Sequence, residues 1–136
     1  MEYEVLWSPW PDHIFIHLNH IYLNPRDRSN RHTTHNKYLT YRPVHTSRIG
    51  LNFEFDRFSL TYQKRYVSER FVTAANTVTL PAYQVDDLYF SIKFDISPLK
   101  WNIRMMLLNI FDTRYEIVRD APLPGRHWRI GLELVY

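Results

Sequence analysis

Alternation of apolar and polar residues with a period of two is the feature that most constrains this chain. In the run DLYFSIKFDI (87–96), one set of alternate positions is wholly apolar: Leu88, Phe90, Ile92, Phe94 and Ile96. Tyr89, Ser91, Lys93 and Asp95 occupy the positions between them. Because successive side chains of a β-strand point to opposite faces of a sheet, this run predicts a strand with one apolar and one polar face.

Seven runs of this kind are spread along the 136 residues, at 2–8, 13–22, 44–55, 58–67, 85–96, 101–111 and 126–136. Aromatic residues make up 16% of the chain, and they favour pleated, half-buried surfaces. All eight prolines fall between the runs, where no ladder hydrogen bond is needed. The sequence therefore predicts an all-β fold, an antiparallel up-and-down meander of about seven strands.

The connections between the runs alternate strictly in length. Short connections follow the first, third and fifth runs, and long ones, such as LNPRDRSNRHTTHNKYLTYRP, follow the second, fourth and sixth. In an up-and-down meander, this puts every short turn at one end of the sheet and every long loop at the other. Outer-membrane barrels obey such a rule, with short periplasmic turns and long extracellular loops, whereas soluble barrels have no reason to do so.

Aromatic residues gather near both ends of the predicted strands. Those near the short connections are Trp7, Trp10, Phe55, Phe58, Phe94, Trp101 and Tyr136. Those near the long connections are Tyr22, Tyr66, Tyr83, Phe111 and Trp128. Two aromatic belts separated by about ten residues of tilted strand match the thickness of a bilayer.

The cost of placing charge in lipid indicates which face points outward. A basic residue at the midplane of a barrel's outer face costs roughly 2–4 kcal/mol, so Lys93 and Asp95 are expected on the inner face. Simple alternation puts Lys64 and His20 on the outer face, close to the long loops. Either snorkelling of the lysine or a β-bulge would account for these two positions.

Composition and motifs exclude several classes of function. The chain has no Cys, which excludes a disulfide framework and a thiolate metal site. Its net charge of +3 is too small and dispersed for a nucleic-acid partner. Neither Gly-x-Ser-x-Gly nor His-Glu-x-x-His occurs. We therefore expect no enzyme activity, no metal site, no cofactor and no nucleic-acid binding.

An ordered set of short elements runs through the chain. Near its end come Asn109-Ile110-Phe111-Asp112, then Tyr115-Glu116, then Pro124-Gly125-Arg126 before a final strand ending at Tyr136. Upstream are Tyr41, Pro43 and His45 ahead of a strand, and Leu-Pro-Ala-Tyr at 80–83. This set covers essentially the whole chain, and it resembles the C-terminal part of the β-barrel of TonB-dependent outer-membrane receptors of the siderophore, cobalamin and haem type.

The resemblance implies the C-terminal portion of a transmembrane β-barrel of about 22 strands, whose lumen holds an N-terminal plug domain. It implies TonB-dependent uptake of a scarce nutrient, such as a ferric siderophore, cobalamin or haem, across the outer membrane of a Gram-negative-type bacterium. The implied partners are the lipid bilayer, the remaining barrel strands and plug domain, the barrel-assembly machinery, the TonB energy-coupling complex and a small-molecule metal chelate.

Residues 1–136 are accordingly predicted to be one C-terminal barrel segment, without the plug domain and the N-terminal strands. Seven antiparallel strands cannot close in the usual way, because the first and last would run in the same direction. A truncated gene, a split gene and one piece of a larger assembly all remain open.

Two sets of candidate functional residues follow. Cationic or potentially metal-facing side chains of the long loops are expected to attract an anionic ligand; these are Arg26, Arg28, Arg31, His32, His35, Arg114 and Arg119. Alternate residues of the final strand are similar to the signal read by the barrel-assembly machinery; these are Trp128, Ile130, Leu132, Leu134 and Tyr136.

Two alternatives from other classes are kept. A soluble lipocalin-like all-β binding protein would direct its apolar residues inward and its charged residues outward. An inactive structural remnant of a truncated receptor would share the strands but bind nothing.

Overall fold

Seven long strands form one antiparallel sheet in which each long strand pairs with the next long strand along the chain. The computed structural model describes residues 1–10 and 13–135. The long strands are β1 (Glu2–Trp10), β2 (Ile14–Tyr22), β3 (His45–Phe55), β4 (Phe58–Val67), β7 (Tyr83–Ile96), β8 (Leu99–Leu108) and β11 (His127–Val135). Four short strands, β5 (Arg70–Phe71), β6 (Thr79–Leu80), β9 (Glu116–Val118) and β10 (Ala121–Pro122), form two small hairpins in the long loops.

The predicted all-β meander is confirmed, and its seven runs correspond one for one to the long strands. The alternation of short and long connections is also confirmed, since two-residue turns at 56–57 and 97–98 alternate with loops at 23–44, 68–82 and 109–126. The four short strands were not predicted because two or three residues are too few to display a period. Within the described ranges, no helix is long and apolar enough to cross a membrane.

Two prolines occupy strands, contrary to the prediction that all lie between them. Pro9 lies in β1, which is an edge strand and shifts its register against β2 between Trp7 and Trp10. Pro122 lies in the two-residue strand β10. Both positions fit the chemistry of proline, which lacks an amide hydrogen and is tolerated at edges and irregularities of a sheet.

The register of the strands aligns their apolar positions into one continuous face. Leu51 pairs with both Ile16 and Tyr62, and Tyr62 in turn pairs with Leu88. The row continues through Leu107 to Trp128. We call this the apolar face; its members are Val5, Trp7, Ile14, Ile16, Leu18, Ile49, Leu51, Phe53, Leu60, Leu88, Phe90, Ile92, Ile103, Met105, Leu107, Trp128, Ile130, Leu132 and Leu134.

The opposite side of the sheet, which we call the polar face, carries the hydrophilic alternate positions. Its members include His17, Asn19, Arg48, Asn52, Glu54, Thr61, Gln63, Arg65, Asp87, Ser91, Lys93, Asn102, Arg104, Arg129 and Glu133. Neighbouring strands join their side chains across this face: His17 Nε2 lies 2.9 Å from Glu4 Oε1, and Arg104 pairs with Glu133. Lys93 and other charged strand residues therefore share one side, as the cost argument predicted.

Few hydrophobic side chains are buried among the residues that the structure describes. Among the described residues, the buried hydrophobic side chains are Val67, Leu80 and Val85, all near the long loops. On the apolar face, by contrast, Ile130 and Leu132 are 59% and 57% exposed. Contiguous exposed apolar surface on this scale marks contact with lipid or another protein. A lipocalin-like soluble barrel would bury this face, so the geometry does not favour that alternative.

The aromatic belt at the short-turn end is present. Trp7, Trp10, Phe55 and Phe58 are all exposed, and the ring centroids of Phe55 and Phe58 lie 5.4 Å apart. Phe94 and Trp101 stack across β7 and β8 with their centroids 6.0 Å apart. Tyr136, the last predicted member, lies outside the described residues.

The belt at the long-loop end is only partly as predicted. Tyr22, Tyr66 and Trp128 lie on the same side as the apolar residues and are exposed. Tyr83 lies on the polar face, because its side chain is on the same side of β7 as those of Val85 and Asp87. Its prediction as a member of an outer aromatic belt was therefore wrong. Phe111 lies in a loop and is exposed.

Lys64 and His20 lie on the apolar side by simple alternation. Pairing is continuous from β2 through β3 and β4 to β7, so a β-bulge is not the explanation for either position. His20 Nδ1 lies 2.8 Å from the Ser47 hydroxyl, and Lys64 pairs in register with Asp86. The apolar face thus becomes polar close to the long loops.

The first and last strands are the two edges of the described sheet, and they run in the same direction. β1 and β11 both run from the long-loop end toward the short-turn end, since five strands lie between them in strict antiparallel order. Antiparallel pairing between these edges would require an odd number of additional strands.

The register can be tested by crosslinking, because the chain has no native cysteine. Ser59 and Ser91 are cross-strand partners with their hydroxyl oxygens 2.8 Å apart. We expect Ser59→Cys/Ser91→Cys to form a disulfide on mild oxidation, since directly opposed strand residues meet the Cα separation that a disulfide needs. Thiol titration and intact mass measure the bond.

The matched control is Ser59→Cys/Lys93→Cys, in which the second cysteine is moved one alternate position along β7. Diagonal partners lie about 7–8 Å apart, beyond easy disulfide reach. Faster oxidation of the control pair than of the Ser59/Ser91 pair would show that the register is wrong.

Candidate functional site

The three long loops meet at one end of the sheet and form the candidate site. We call them loop A (23–44), loop B (68–82) and loop C (109–126). Loops A and B are joined by backbone and side-chain hydrogen bonds. The Tyr38 amide donates to Asn76 Oδ1 at 2.7 Å, Asn76 Nδ2 donates to the Tyr38 carbonyl at 2.9 Å, and Lys37 Nζ donates to the Ala75 carbonyl at 2.8 Å. Loops A and B therefore form one ordered surface.

Arg70 fastens loop B to loop C. Its side chain is only 4% exposed, and one guanidinium nitrogen donates to the carbonyls of Glu116 and Ile117. The guanidinium also lies 5.3 Å from the centroid of the Tyr83 ring, which contacts Tyr115 of loop C at a centroid distance of 4.6 Å. Sequence reasoning missed Arg70, because a lone arginine in a polar loop gives no sign that a distant carbonyl will meet it.

Asn109 organises the start of loop C. It is 2% exposed and adopts a positive φ of 53°, a conformation that asparagine tolerates better than most residues. Its amide donates to Asp87 Oδ1 at 2.8 Å, and its side-chain nitrogen donates to the carbonyls of Thr113 and Pro124 at 2.9 and 3.3 Å. One asparagine thus connects strand β7 to both ends of the loop.

Asp112 and Gly125 complete this connection. Asp112 Oδ1 accepts a hydrogen bond from the Arg126 amide at 2.8 Å, and a Cβ atom at Gly125 would collide with the same oxygen. The elements Asn109-Ile110-Phe111-Asp112 and Pro124-Gly125-Arg126, which carry the family resemblance, are therefore the two sides of one hydrogen-bonded closure. A side chain at residue 125 would therefore require the Asp112 carboxylate to move.

The candidate ligand residues of loop A divide into engaged and free side chains. Arg26 donates from Nε to Asn24 Oδ1, and through its other nitrogens to the Asn36 carbonyl and the Tyr38 hydroxyl, at 2.8–3.0 Å. His35 Nδ1 lies 2.8 Å from the Ser29 carbonyl. These two residues shape the loop, whereas exposed side chains are found at Arg28, Arg31 and His32.

Loop C presents its two candidate arginines differently. Arg114 is exposed and lines a cavity of about 540 Å³, together with Pro81 of loop B and Leu123. Arg119 Nε lies 3.6 Å from Asp120 Oδ2 at the surface, where such a pair contributes little stability. Of the seven predicted loop residues, Arg28, Arg31, His32 and Arg114 are exposed and make no side-chain hydrogen bond or ion pair with the other described residues, whereas Arg119 and His35 are exposed but engaged.

Electrostatics distinguish two further loop groups. The Thr34 hydroxyl, followed by the Ser29 amide and hydroxyl, lowers the pKa of Asp27 to about 2. Burial raises the pKa of Tyr115, and the Arg65 guanidinium beside the phenol opposes that rise. In the part of the chain that the structure describes, no group of three His, Asp or Glu side chains is placed to hold a metal ion.

The candidate assembly residues of the last strand share one side of β11. Trp128, Ile130, Leu132 and Leu134 pair in register with apolar residues of β8 and are 70%, 59%, 57% and 50% exposed. Tyr136 lies outside the described residues. Recognition of these residues by the assembly machinery stays a prediction.

The closure of loop C can be tested at Gly125. We expect Gly125→Ala to displace the Asp112 carboxylate and destabilise the loop by about 1–3 kcal/mol, because the added methyl group overpacks a filled position. The measurement is the rate of tryptic cleavage after Arg114 and Arg119, which follows the population of the opened loop. Gly131→Ala is the control, since nothing lies within 4 Å of a Cβ at that position; equal cleavage rates in both variants would contradict the closure.

We expect the stability of the loop A conformation to depend on pH. The Asp27 carboxylate has a folded pKa of about 2, below its ordinary value of 3.8, so its ionised form stabilises the loop. This contribution is complete above pH 3.8 and is lost as the pH falls through 2. We expect the NMR shift of the Ser29 amide to titrate with a midpoint near 2, and Asp27→Asn to abolish that titration. A midpoint at 3.8 would contradict the hydrogen bonds that the Asp27 carboxylate accepts.

Comparison of structures finds proteins similar to this chain, whereas comparison of sequences finds none. No family model and no curated protein matches the sequence. The crystal structure of BauA, the ferric preacinetobactin receptor from Acinetobacter baumannii, is similar over 96% of this chain, with a TM-score of 0.83 and 16% identity. The ferric citrate transporter FecA, in its unliganded form, is similar over 94% of this chain, with a TM-score of 0.81 and 19% identity.

This chain spans 21% of the BauA chain and 22% of the FecA chain. At these identities the likeness establishes the fold. Both proteins are TonB-dependent receptors, the family that the ordered elements of the sequence resemble. The chain accordingly has the fold of a segment of a TonB-dependent receptor barrel.

Proposed function

We propose that this chain is the C-terminal barrel segment of an outer-membrane receptor for TonB-dependent uptake of a scarce nutrient. The observation that carries the proposal is the sorting of side chains by the sheet. The apolar face is continuous, half-buried on the central strands and exposed mainly on β1, β8 and β11, and an aromatic belt borders it at the short-turn end. An exposed apolar band with aromatic girdles and a polar opposite side is the pattern of a strand wall between lipid and an aqueous lumen.

A ferric chelate such as a ferric siderophore is the ligand class that we favour. The two similar structures are named for a ferric preacinetobactin receptor and a ferric citrate transporter. In this chain, Arg28, Arg31, His32 and Arg114 are exposed on the loops of one end of the sheet. The positive charge of the three arginines would attract an anionic chelate and raise its local concentration.

The remaining parts of such a receptor are proposed as partners of this segment. Further strands would pair with the free edges of β1 and β11, which run in the same direction and therefore need an odd number of strands between them. A plug domain would face the polar side of the sheet and connect to the TonB energy-coupling complex. The barrel-assembly machinery would insert the completed wall into the bilayer.

Membrane contact by the apolar face is the first point to test. The 136-residue chain is refolded with phosphatidylcholine vesicles, and its insertion is measured by flotation and protease protection. We expect Ile103→Lys to weaken insertion by about 2–4 kcal/mol, because Ile103 lies midway along β8 on the apolar face. Asn102→Lys, one position along on the polar face, should leave insertion nearly unchanged.

Two results would defeat the membrane proposal. One is that the native chain is folded, monomeric and fully soluble without detergent or lipid. The apolar face would then be in contact with water alone, which the membrane proposal does not allow. The other is an equal effect of the two lysine variants, because the proposal requires the two faces of β8 to differ.

A further inference from the structure

Two histidines meet at the base of loop A. His20 lies near the end of β2 and His45 is the first residue of β3, so one stands on each side of the loop. His20 Nε2 and His45 Nδ1 are 3.5 Å apart, and the centroids of the two rings are 5.5 Å apart. The two residues are 25 positions apart in the chain, which explains why no short motif revealed the pair.

A hydrogen bond between the two rings accounts poorly for this contact. Hydrogen bonds that N–H groups donate in proteins mostly span about 2.7–3.2 Å, and the two ring nitrogens lie beyond that range. Among the described residues, neither of the facing nitrogens has another hydrogen-bond partner. Two Zn–N bonds of about 2.0–2.1 Å at a tetrahedral angle would separate the nitrogens by about 3.3–3.4 Å. The observed separation is therefore close to that of two imidazoles on one metal ion.

Ser47 holds the His20 ring in the orientation that a metal ligand needs. The Ser47 hydroxyl oxygen lies 2.8 Å from His20 Nδ1, on the side of the ring away from His45. When Nδ1 carries the ring hydrogen and donates it to this oxygen, Nε2 keeps the lone pair that binds a metal. Metal-binding histidines almost always have such a partner on the other ring nitrogen.

Contacts with both neighbouring segments position His45. Tyr22 is its cross-strand partner, and the centroids of the two rings lie 5.2 Å apart. The His45 amide donates to the Ser68 hydroxyl at 3.1 Å, and the Ser68 amide donates to the His45 carbonyl at 3.0 Å. The His45 side chain is nevertheless exposed, so an ion from solution can reach the pair.

We infer that His20 and His45 form a binding site for a divalent metal ion that prefers nitrogen ligands, such as Zn²⁺, and that the ion clasps the base of loop A. Imidazole suits zinc, copper and nickel, whereas Ca²⁺ and Mg²⁺ prefer oxygen ligands. Two protein ligands leave the other coordination positions of the ion to solvent. The site goes beyond the proposed function, because it lies on the strands, on the apolar side of the sheet, and apart from the loop arginines.

An ion shared by the two strands would stabilise the base of the loop. Next to the pair of Tyr22 and His45, the Leu23 amide donates to the Val44 carbonyl at 2.9 Å. A metal clip that closes a long loop offsets part of the entropy cost of bringing its ends together. By mass action, the closed base is favoured about tenfold when the free ion is at about ten times its Kd.

Isothermal titration calorimetry of the full chain in detergent micelles tests the site, with Zn²⁺ as the probe and Mg²⁺ for comparison. We expect saturable binding of Zn²⁺ and none of Mg²⁺. His20→Gln and His45→Gln should each weaken the tightest Zn²⁺ site about tenfold or more, because a single imidazole no longer chelates the ion. The double variant should be about as weak as either single variant, since both residues hold the same ion. Ser47→Ala should weaken this site about tenfold by releasing the His20 ring.

Amide hydrogen exchange at Leu23 measures the clasp itself. At about ten times its Kd, Zn²⁺ should slow exchange of the Leu23 amide about tenfold in the native chain. The same zinc concentration should leave this amide unchanged in His45→Gln. Zinc bound elsewhere on the chain would not produce this difference.

His17→Gln and His32→Gln are matched controls. His17 lies on the polar face beside Glu4, and His32 lies in loop A away from its base; both variants should bind Zn²⁺ as the native chain does. Far-UV circular dichroism checks the fold of each variant. The ring-nitrogen NMR signals of His20 and His45 in the native chain give a readout that needs no variant, because both should shift together during the zinc titration.

Absence of saturable Zn²⁺ binding to the native chain overturns the inference. So does an equal loss of affinity in the control variants, or a Leu23 amide whose exchange is indifferent to zinc. Vesicle flotation is read separately. A chain that inserts into lipid without binding zinc contradicts this site alone, and a chain that binds zinc without entering lipid contradicts the membrane proposal alone.

Discussion

In-register pairing of seven antiparallel strands is the constraint on which the rest of this structure depends. Each strand has two unlike faces, and a slip of one residue would exchange them. Because the partners from β1 to β11 stay in phase, apolar side chains accumulate on one side and charged side chains on the other. The described chain buries few hydrophobic side chains of its own, so its stability as a sheet depends on the medium that covers the apolar face.

The loops follow a different principle, since their order comes from polar contacts. Arg70 donates to carbonyls of loop C, Asn109 connects β7 to both ends of that loop, and Asn76 exchanges hydrogen bonds with Tyr38 of loop A. Buried polar groups of this kind are costly when unpaired and specific when paired. They hold the three long connections in one arrangement at one end of the sheet.

Strands were more predictable than loops because the two faces of a strand impose an alternation of residue types that is visible in its own sequence. Alternation located all seven long strands, and the alternation of connection lengths gave their direction. Tyr83 was predicted to join the aromatic belt at the long-loop end, but it lies on the same side of β7 as Val85 and Asp87, which is the polar side. Of the predicted loop residues, Arg26 and His35 prove to be engaged within loop A, which residue type alone could not reveal.

The sequence by itself determined the strands, their two faces and the end of the sheet at which the long loops gather, because each follows from local period and connection length. The register of β3 against β4 is implicit in it as well, since a two-residue turn at 56–57 fixes which residues of the two strands lie opposite each other. Only the tertiary structure decided which polar groups are satisfied. Whether Asp87 reaches an arginine or the Asn109 amide depends on how residues far apart in the chain approach in space, and no local pattern encodes that distance.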